Sequence, residues 1–212
     1  FKMGSQVSPQ AAMKDPENDL LSHFDLRRLT AEELRDSILG ISGNLNLKKV
    51  DGPSIYPVIP REVLAGQSVP GSGWGKSTPE EAASRSVFVF VKRSLALPIL
   101  QVFDAPDPDS PCASRFTTTQ PAQALALINS EFAGEQAKIL AADVAKKSSA
   151  SPADKVSEIL RRTLQRQPKP DEVERGTTFV KDSMNKDSLN EEDAIRRFCL
   201  IAFSLNEFIF LN

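Results

Sequence analysis

The proline-rich stretch 103–120 places the strongest constraint on how this chain can fold. Pro106, Pro108 and Pro111 each fix φ and lack a backbone N–H, so the stretch can form neither the interior of a helix nor a central strand. Pro121 then precedes an apolar run, and proline is favoured in the first turn of a helix. The sequence therefore predicts an ordered loop that leads into a helix.

Amphipathic periodicity predicts helices on both sides of this loop. Upstream, Thr30 and Glu33 have the spacing of a capping box, and Leu29 and Leu34 have that of a hydrophobic staple, which together predict a helix over 31–42. We expect the downstream helices to pack on this helix, with 103–120 ordered against the resulting bundle. Apolar residues at helical spacing predict five of them: 121–129, 130–146, 152–166, 170–185 and 191–205.

Other parts of the chain give weaker or irregular patterns. Periodicity is lost over 44–86, which is rich in proline and glycine and predicts a long irregular loop. The run 87–91 (VFVFV) is β-branched and aromatic and predicts a buried strand. Short helices are predicted over 20–24 and 94–103. The predicted fold class is mainly α: a helical bundle with a minor β element and a long irregular Pro/Gly-rich loop.

The two ends of the chain lead to a prediction about its organisation. Residues 1–18 are polar and are interpreted as a linker from a missing upstream part, with 19–212 forming a single mainly helical domain. Because the first residue is Phe1, we interpret the chain as a cut piece or a mature product, so the lack of a signal peptide leaves export open.

Composition argues against several classes of function. Lys and Arg number 26 against 28 Asp and Glu, a net charge of −2, whereas nucleic-acid binders usually show a basic excess. No apolar run approaches the ~20 residues that span a bilayer, so no membrane span is predicted. The single histidine, His23, rules out a site with two histidine ligands, and a plain surface or core-edge position is expected for it.

Two further features of the sequence bear on possible chemistry, the two cysteines and a glycine-rich segment. Cys112 and Cys199 leave a disulfide open, although we favour a buried free thiol at Cys199 and an inert or disulfide-bonded one at Cys112. The segment 71–77 (GSGWGKS) partly resembles a phosphate-binding loop. However, the position that needs its first glycine is Pro70, so a flexible glycine loop is the better interpretation.

The polar residues of the central stretch form the candidate site. Its aspartates could bind calcium, although their spacing is not that of an EF-hand, or they could do acid–base work as in glycosidases. They could instead brace the loop, with Arg115 held in a bidentate pair with one of the carboxylates or helping to receive an anion at the helix start. We favour bracing. The candidate residues are Asp104, Asp107, Asp109, Arg115, Thr119 and Gln123, and the weak calcium candidates are the three aspartates.

A resemblance to a known family extends over nearly the whole chain from about Asp19. It rests on segments in a fixed order: 27–45 (RRLTAEELRDSILGISGNL), 52–57 (GPSIYP), 85–95 (RSVFVFVKRSL), 103–129 (FDAPDPDSPCASRFTTTQPAQALALIN), 165–174 (QRQPKPDEVE) and 204–212 (SLNEFIFLN). These segments resemble a family of planctomycete proteins whose C-terminal domain has no assigned function. The resemblance implies that such a domain closes a large exported protein beginning with a c-type haem domain. It supplies no catalytic residues.

Two hypotheses about function follow. The first is a non-catalytic structural or partner-binding C-terminal module of an exported, periplasmic or cell-envelope protein. No cofactor is expected in this chain, and haem c is expected only upstream. Its expected partners are the upstream domains, with another envelope protein or a polysaccharide also possible, and it is not expected to bind nucleic acid. The alternative is part of an enzyme that acts on a polysaccharide or similar polymer through Asp104, Asp107 and Arg115. Carboxylates turned onto backbone N–H groups and Arg115 favour the first, and carboxylates facing each other across an open groove favour the second.

Overall fold

The computed structural model describes residues 4–147 and 151–211. It is 52% helical, with eleven helices and a single two-stranded sheet in the described part, so the predicted mainly α fold is confirmed. The helices are α1 Pro9–Lys14, α2 Ala31–Ser42, α3 Arg61–Ala65, α4 Pro79–Ala82, α5 Pro98–Val102, α6 Pro121–Asn129, α7 Glu131–Lys147, α8 Pro152–Leu164, α9 Pro170–Lys186, α10 Glu191–Ala202 and α11 Asn206–Ile209. The strands are β1 Arg27–Arg28 and β2 Phe210–Leu211.

Helix α2 has the bounds predicted for it, because it is capped at both ends, at its start by the predicted capping box. The Thr30 hydroxyl accepts from the Glu33 N–H (3.3 Å), and the Glu33 carboxylate accepts from the Thr30 N–H (2.9 Å). Gly43 ends the helix in the left-handed region at φ 77°, which glycine adopts without steric cost. Leu34 and Ile38 are fully buried and place the inner face of α2 in the core.

The five downstream helices are confirmed, with corrections at their ends. Helix α8 stops at Leu164 and not at 166, because Gln165 takes a left-handed conformation (φ 55°) and caps it. Helix α10 stops at Ala202, and a separate short helix, α11, follows Leu205. The prediction that the five helices pack on α2 needs correction: α7 packs against α2, whereas α10 packs against α7, α8 and α9 and is the central helix of the group. The buried apolar residues form one cluster that runs from Leu29 to Ile209.

The predicted strand over 87–91 is wrong. Residues Ser86–Phe88 form a 3₁₀ turn, and Val89 makes only an isolated parallel bridge with Ile55. A β-branched run favours extended backbone, but a strand also needs a partner along its length, and here the partner contributes Ile55 alone. The β element of the fold lies elsewhere, where β1 pairs antiparallel with β2 and joins the start of the bundle to the end of the chain.

The two predicted short helices also need correction. Over 94–103 only Pro98–Val102 is helical, since Lys92 and Leu95 form an antiparallel bridge in a turn and Pro98 then occupies the first helical turn. Residues 20–24 form no helix, because the Asp15 carboxylate accepts from the Asp19 and Leu20 N–H groups and holds a turn there. A helix that was not predicted, α1, precedes this turn.

The long irregular loop is organised around an aromatic cluster. Tyr56, Trp74 and Phe90 pack with ring centroids 5.2–6.0 Å apart, and the Trp74 indole N–H donates to the Pro57 carbonyl (3.0 Å). Gly75 lies directly against the Tyr56 ring, so that a Cβ at this position would come within 2.7 Å of it. The glycine segment 71–77 is therefore held against aromatic side chains by close packing.

Candidate functional site

Arg28 and Asp104 form the centre of the candidate site. The Arg28 guanidinium, whose side chain is 3% exposed, donates from Nη2 to Asp104 Oδ2 (2.7 Å) and to the Phe103 carbonyl (3.1 Å). Its Nη1 donates to the Thr118 carbonyl (2.8 Å), and the guanidinium carbon lies 5.3 Å from the centre of the Phe103 ring. Strand β1 therefore places one buried arginine between the two ends of the proline-rich loop.

Thr118 also donates hydrogen bonds to the Asp104 carboxylate. Its N–H donates to Oδ2 (2.8 Å), and its hydroxyl lies 3.0 Å from both carboxylate oxygens. Asp104 itself has φ 62°, a left-handed conformation that aspartate tolerates better than most residues. This turn at Asp104 directs the carboxylate back into the loop, where it meets Thr118.

Gln123, on the first turns of α6, completes the network. Its amide nitrogen donates to the Val102 carbonyl (3.2 Å) and to the Thr118 hydroxyl (3.1 Å), while its amide oxygen accepts from the Gln120 N–H (3.3 Å). Thr118 therefore donates its hydroxyl proton to Asp104 and accepts from Gln123. The start and the end of the 103–120 loop are joined through these side chains.

The electrostatics of Asp104 keep it ionised. Burial raises the pKa of Asp104, but hydrogen bonds from the Thr118 N–H, the Thr118 hydroxyl and Arg28 outweigh this effect, so the pKa lies below its ordinary value. A general acid or base for neutral pH needs a pKa nearer to 7. The carboxylate is suited to holding a positive charge and two polar donors in place.

The other predicted residues lie outside this network. Asp107 accepts from the Asp109 N–H (2.9 Å), the usual turn contact of an aspartate, and Asp109 lies 3.4 Å from the Arg93 guanidinium. Thr119 is exposed.

Arg115 makes the bidentate pair that we predicted, but its partner is Glu32 in the first turn of α2 (2.7 and 3.0 Å) and not a carboxylate of the loop. The partly exposed Glu32 carboxylate offers both oxygens to the Arg115 guanidinium, and this bidentate pair takes the place of one with a loop carboxylate.

The three aspartates are directed at different partners and share no cation position. Within residues 4–147 and 151–211, no group of three His, Cys, Asp or Glu side chains could hold a metal ion. Across the same residues, no helix has both the length and the apolar character needed to cross a bilayer.

Both cysteines are free thiols. Cys112 is exposed in the loop and its Sγ donates to the Ser114 carbonyl (3.3 Å), whereas Cys199 is fully buried in α10. Burial raises the pKa of the Cys199 thiol well above its ordinary value, which keeps it protonated and unreactive. His23 lies at a core edge as expected, 3.6 Å from the Asp25 carboxylate and 3.0 Å from the Ser22 hydroxyl.

A second buried arginine, which the sequence analysis missed, holds the irregular loop. Arg35 of α2 donates from Nη1 to the Ser84 carbonyl (3.1 Å) and the Ser86 hydroxyl (3.1 Å), and from Nη2 to the Ala82 carbonyl. Burial lowers the pKa of Arg35 to about 10. The neighbouring Asp36 accepts from the Ser86 N–H (2.7 Å) and hydroxyl (2.6 Å).

The burial of Arg28 and that of Arg35 differ in how far the sequence could have predicted them. Arg35 lies four residues after Ala31 and four before Leu39, on the buried face of α2, and this spacing could have identified it. Two consecutive arginines are ordinarily both solvated. Arg27 is, since it pairs with Glu33 on the surface (2.9 Å), but Arg28 is buried. The alternation of a strand only two residues long was too short to show which arginine points inward.

A groove of about 740 Å³ lies between the C-terminal end of α2, the second half of α7 and the end of α8. Its lining includes Gly40 of α2 and Gly43 just after that helix, Ile139 and Ala142 of α7, and the basic residues Lys146, Arg161 and Arg162.

Comparisons with known proteins place the chain in a family but not in a functional class. The model of a family described as PSD1, protein of unknown function (DUF1553), matches residues 1–180. No curated protein matches the chain. No solved structure matches it either.

Proposed function

We propose that this chain, which belongs to the PSD1 family of proteins of unknown function, is a non-catalytic structural or partner-binding module. In this proposal the 103–120 loop is internal bracing for the helical bundle, and any chemistry of the parent protein takes place elsewhere.

One observation carries the proposal: the partly buried Asp104 carboxylate is engaged by hydrogen bonds within the protein. Both of its oxygens accept hydrogen bonds from Thr118, and Oδ2 also accepts from a buried arginine. Such a carboxylate neutralises Arg28, which without it would be a buried and unpaired charge at substantial cost. The loop and β1 are therefore stabilised together by the same few atoms.

The alternative of a polymer-degrading enzyme lacks a supporting observation. A glycosidase needs two carboxylates flanking the scissile bond and a raised pKa on the one that acts as an acid. Here the pKa of Asp104 is lowered, Asp107 caps a turn, and Arg115 pairs with Glu32. Contacts of this kind stabilise the conformation of a loop.

The wider context is also part of the proposal. The resemblance of 27–45, 103–129 and 204–212 to planctomycete C-terminal domains supports an exported parent protein with an upstream c-type haem domain. The partners would then be the upstream domains of the same polypeptide, and another envelope protein or a polysaccharide would be secondary. Fractionation of cells that express the full-length parent, together with a haem stain, tests the location and the haem association.

The bracing role is tested by comparing Asp104→Ala with Asp107→Ala. We expect Asp104→Ala to lower the free energy of unfolding by about 3 kcal/mol, because it leaves Arg28 buried and unpaired, and Asp107→Ala to change it by less than about 0.5 kcal/mol. Urea denaturation measures both values. Thr118→Val serves as a second variant that removes the hydroxyl from the network but retains the carboxylate.

The opposite outcome would support the enzyme alternative. If Asp104→Ala leaves the unfolding free energy unchanged and abolishes a polymer-degrading activity of the full-length parent, the loop is catalytic. The bracing proposal is then wrong, and the enzyme alternative replaces it.

A further inference from the structure

Helix α6 has the composition of a buried helix, although one side of it faces solvent. It contains no charged residue, and none occurs anywhere in 116–130. Its polar side chains are those of Gln123, which is buried, and Asn129 at its last position. Leu127 is 1% exposed, whereas Leu125 is 60% exposed and Ile128 47%. A helix that is apolar on all sides is normally buried on all sides, so the exposed side of α6 is expected to have a partner.

The exposed side of α6 is one continuous face centred on Leu125. At about 100° per residue, its exposed residues cover an arc of about 160°, with Gln123 and Leu127 on the opposite, buried side. In contrast, the exposed side of α9 carries ion pairs such as that of Arg175 with Asp171 (3.1 Å). The residues of this α6 face are Pro121, Ala122, Ala124, Leu125, Ile128 and Asn129.

The α6 face points away from the network around Asp104. Gln123 is the residue of α6 that joins this network, through the Val102 carbonyl and the Thr118 hydroxyl, and it lies on the buried side of the helix. A partner that covers the α6 face is therefore independent of the bracing role proposed above, and either can hold without the other.

The α6 face is complementary to itself. In a contact between two identical surfaces, charges near the two-fold axis face charges of the same sign, which is unfavourable, and the α6 face carries no charge. If two α6 helices lie antiparallel with the axis at Leu125, Ile128 of each copy lies opposite Ala122 of the other. A large side chain then meets a small one on both sides of the axis, and this alternation lets facing helices interdigitate.

We propose that two copies of this chain form a dimer through the α6 face, with the two α6 helices antiparallel and Leu125 at the two-fold axis. The contact is isologous, because the same surface serves both copies, so association stops at the dimer. A face on one nine-residue helix offers less than the ~800 Å² per partner that is usual in stable complexes. The dimer is therefore weak and forms at high protein concentration.

Sedimentation equilibrium over a wide range of protein concentration measures this association. For the wild-type chain we expect the average molar mass to rise from 23.2 kDa towards twice that value and to stop there. Leu125→Glu places two carboxylates opposite each other at the axis and should weaken association at least about tenfold. Leu47→Glu is the matched control. Leu47 is 64% exposed and lies outside α6, so its replacement adds the same charge without touching the contact.

Two further variants test the antiparallel register. Ala122→Glu or Ile128→Lys alone places a charge against an apolar residue of the other copy, and each should weaken association. In a mixture of the two variants the new charges are opposite in sign and face each other on one side of the axis, while the other side keeps the wild-type pair. The mixture should therefore form a one-to-one dimer about tenfold more tightly than either variant alone. Circular dichroism of each variant verifies that the fold is retained.

Four outcomes would overturn the proposal. The first is a wild-type chain that stays monomeric at every concentration, which would leave the α6 face to a different partner. The second is association that continues beyond the dimer. The third is a Leu125→Glu variant that associates as the wild type does, or a Leu47→Glu control that dissociates equally. The fourth is a mixture of Ala122→Glu and Ile128→Lys that associates no more tightly than its components.

Discussion

The irregular region, 44–120, and the helical region, 121–205, are stabilised by different kinds of contact. The helical region has a repeated apolar pattern, and residues such as Val156, Ile159 and Val180 are fully buried along its helices. The irregular region has no such pattern and is held at two points by buried arginines, Arg28 and Arg35, that reach into it from outside. The helical region should therefore respond most strongly to changes of volume, and the irregular region to changes of charge and hydrogen bonding at these two arginines.

The two arginines differ in how their charge is balanced. Arg28 has the Asp104 carboxylate at 2.7 Å, whereas the nearest carboxylate to Arg35, that of Asp36, is at 3.7 Å. Arg35 instead donates to two carbonyl oxygens and one hydroxyl oxygen, while its buried Nε has no hydrogen-bond partner in the described structure. Its guanidinium carbon lies 5.4 Å from the centre of the Phe132 ring. A buried charge that is held by a few neutral acceptors depends on each of them. Of the residues that hold the irregular region, Arg35 should accordingly be the most sensitive to substitution.

Replacing Arg35 should give the largest effect. Arg35→Ala removes a side chain that is 2% exposed and leaves the Ala82 and Ser84 carbonyls without their donor. We expect the free energy of unfolding to fall by about 3–5 kcal/mol, measured by urea denaturation. Arg85→Ala is the control: Arg85 also faces Asp36 but is 59% exposed, so a change below about 0.5 kcal/mol is expected. Equal effects of the two substitutions would show that burial of the guanidinium is not what matters.

Replacing Gly176 should give the next largest effect and tests the helical region. A Cβ there would lie 2.6 Å from Val156 Cγ1 and 2.8 Å from Phe198 Cζ, where α9 meets α8 and α10. Gly176→Ala should therefore destabilise the chain by about 1–3 kcal/mol through overpacking. Gly134→Ala, in open space on α7, should instead stabilise it by about 0.5–1 kcal/mol. Thermal unfolding of the two variants should shift in opposite directions, and a shift in the same direction would contradict tight packing at Gly176.

This difference between the regions also explains what the sequence could predict. Helices α2 and α9 were predicted because periodicity and capping residues are local signals, carried for example by Thr30 and Pro170. The prediction of a strand over 87–91 was wrong because the preference of its residues for extended backbone does not reveal whether a pairing partner exists. In the candidate site, the turn at Asp104 and the helix start near Gln123 were local and predictable. The partner of Asp104 could not be predicted, because Arg28 is 76 residues away in the sequence and the burial of Arg28 depends on the whole fold.

Lowering the pH should weaken the helical region through its ion pairs. A hydrogen bond from Arg166 is the main cause that lowers the pKa of Glu172 to about 2, and a hydrogen bond from Arg161 does the same for Glu158. A carboxylate whose pKa is lower in the folded state than in the unfolded state adds stability above the unfolded value. That stability is lost as the pH falls from about 4.5 towards 2. Urea denaturation at pH 7, 4 and 3 measures the loss.

Replacing Glu172 measures how much of this loss of stability at low pH comes from its ion pair with Arg166. Glu172→Gln should lower stability at pH 7 by about 1 kcal/mol and flatten its dependence on pH below 4.5. The side chain of Glu172 is 19% exposed, so solvent screens the pair only in part. A pH profile identical to that of the wild type would show that the Arg166 contact contributes nothing to stability.

The pair of Arg115 and Glu32 should give the smallest effect, although the sequence analysis assigned the bracing of the loop to Arg115. The two side chains are 44% and 29% exposed and join the loop to the first turn of α2. Exposed ion pairs contribute about 0.2–1 kcal/mol and are screened by salt. Arg115→Ala should therefore lower the unfolding free energy by less than 1 kcal/mol in dilute buffer, and the difference from the wild type should disappear in 1 M salt. A double-mutant cycle with Glu32→Ala isolates the pair. If the cycle instead gave a salt-independent coupling as large as the effect of Asp104→Ala, Arg115 would hold the loop from its surface, and burial would not be what makes an arginine important to this fold.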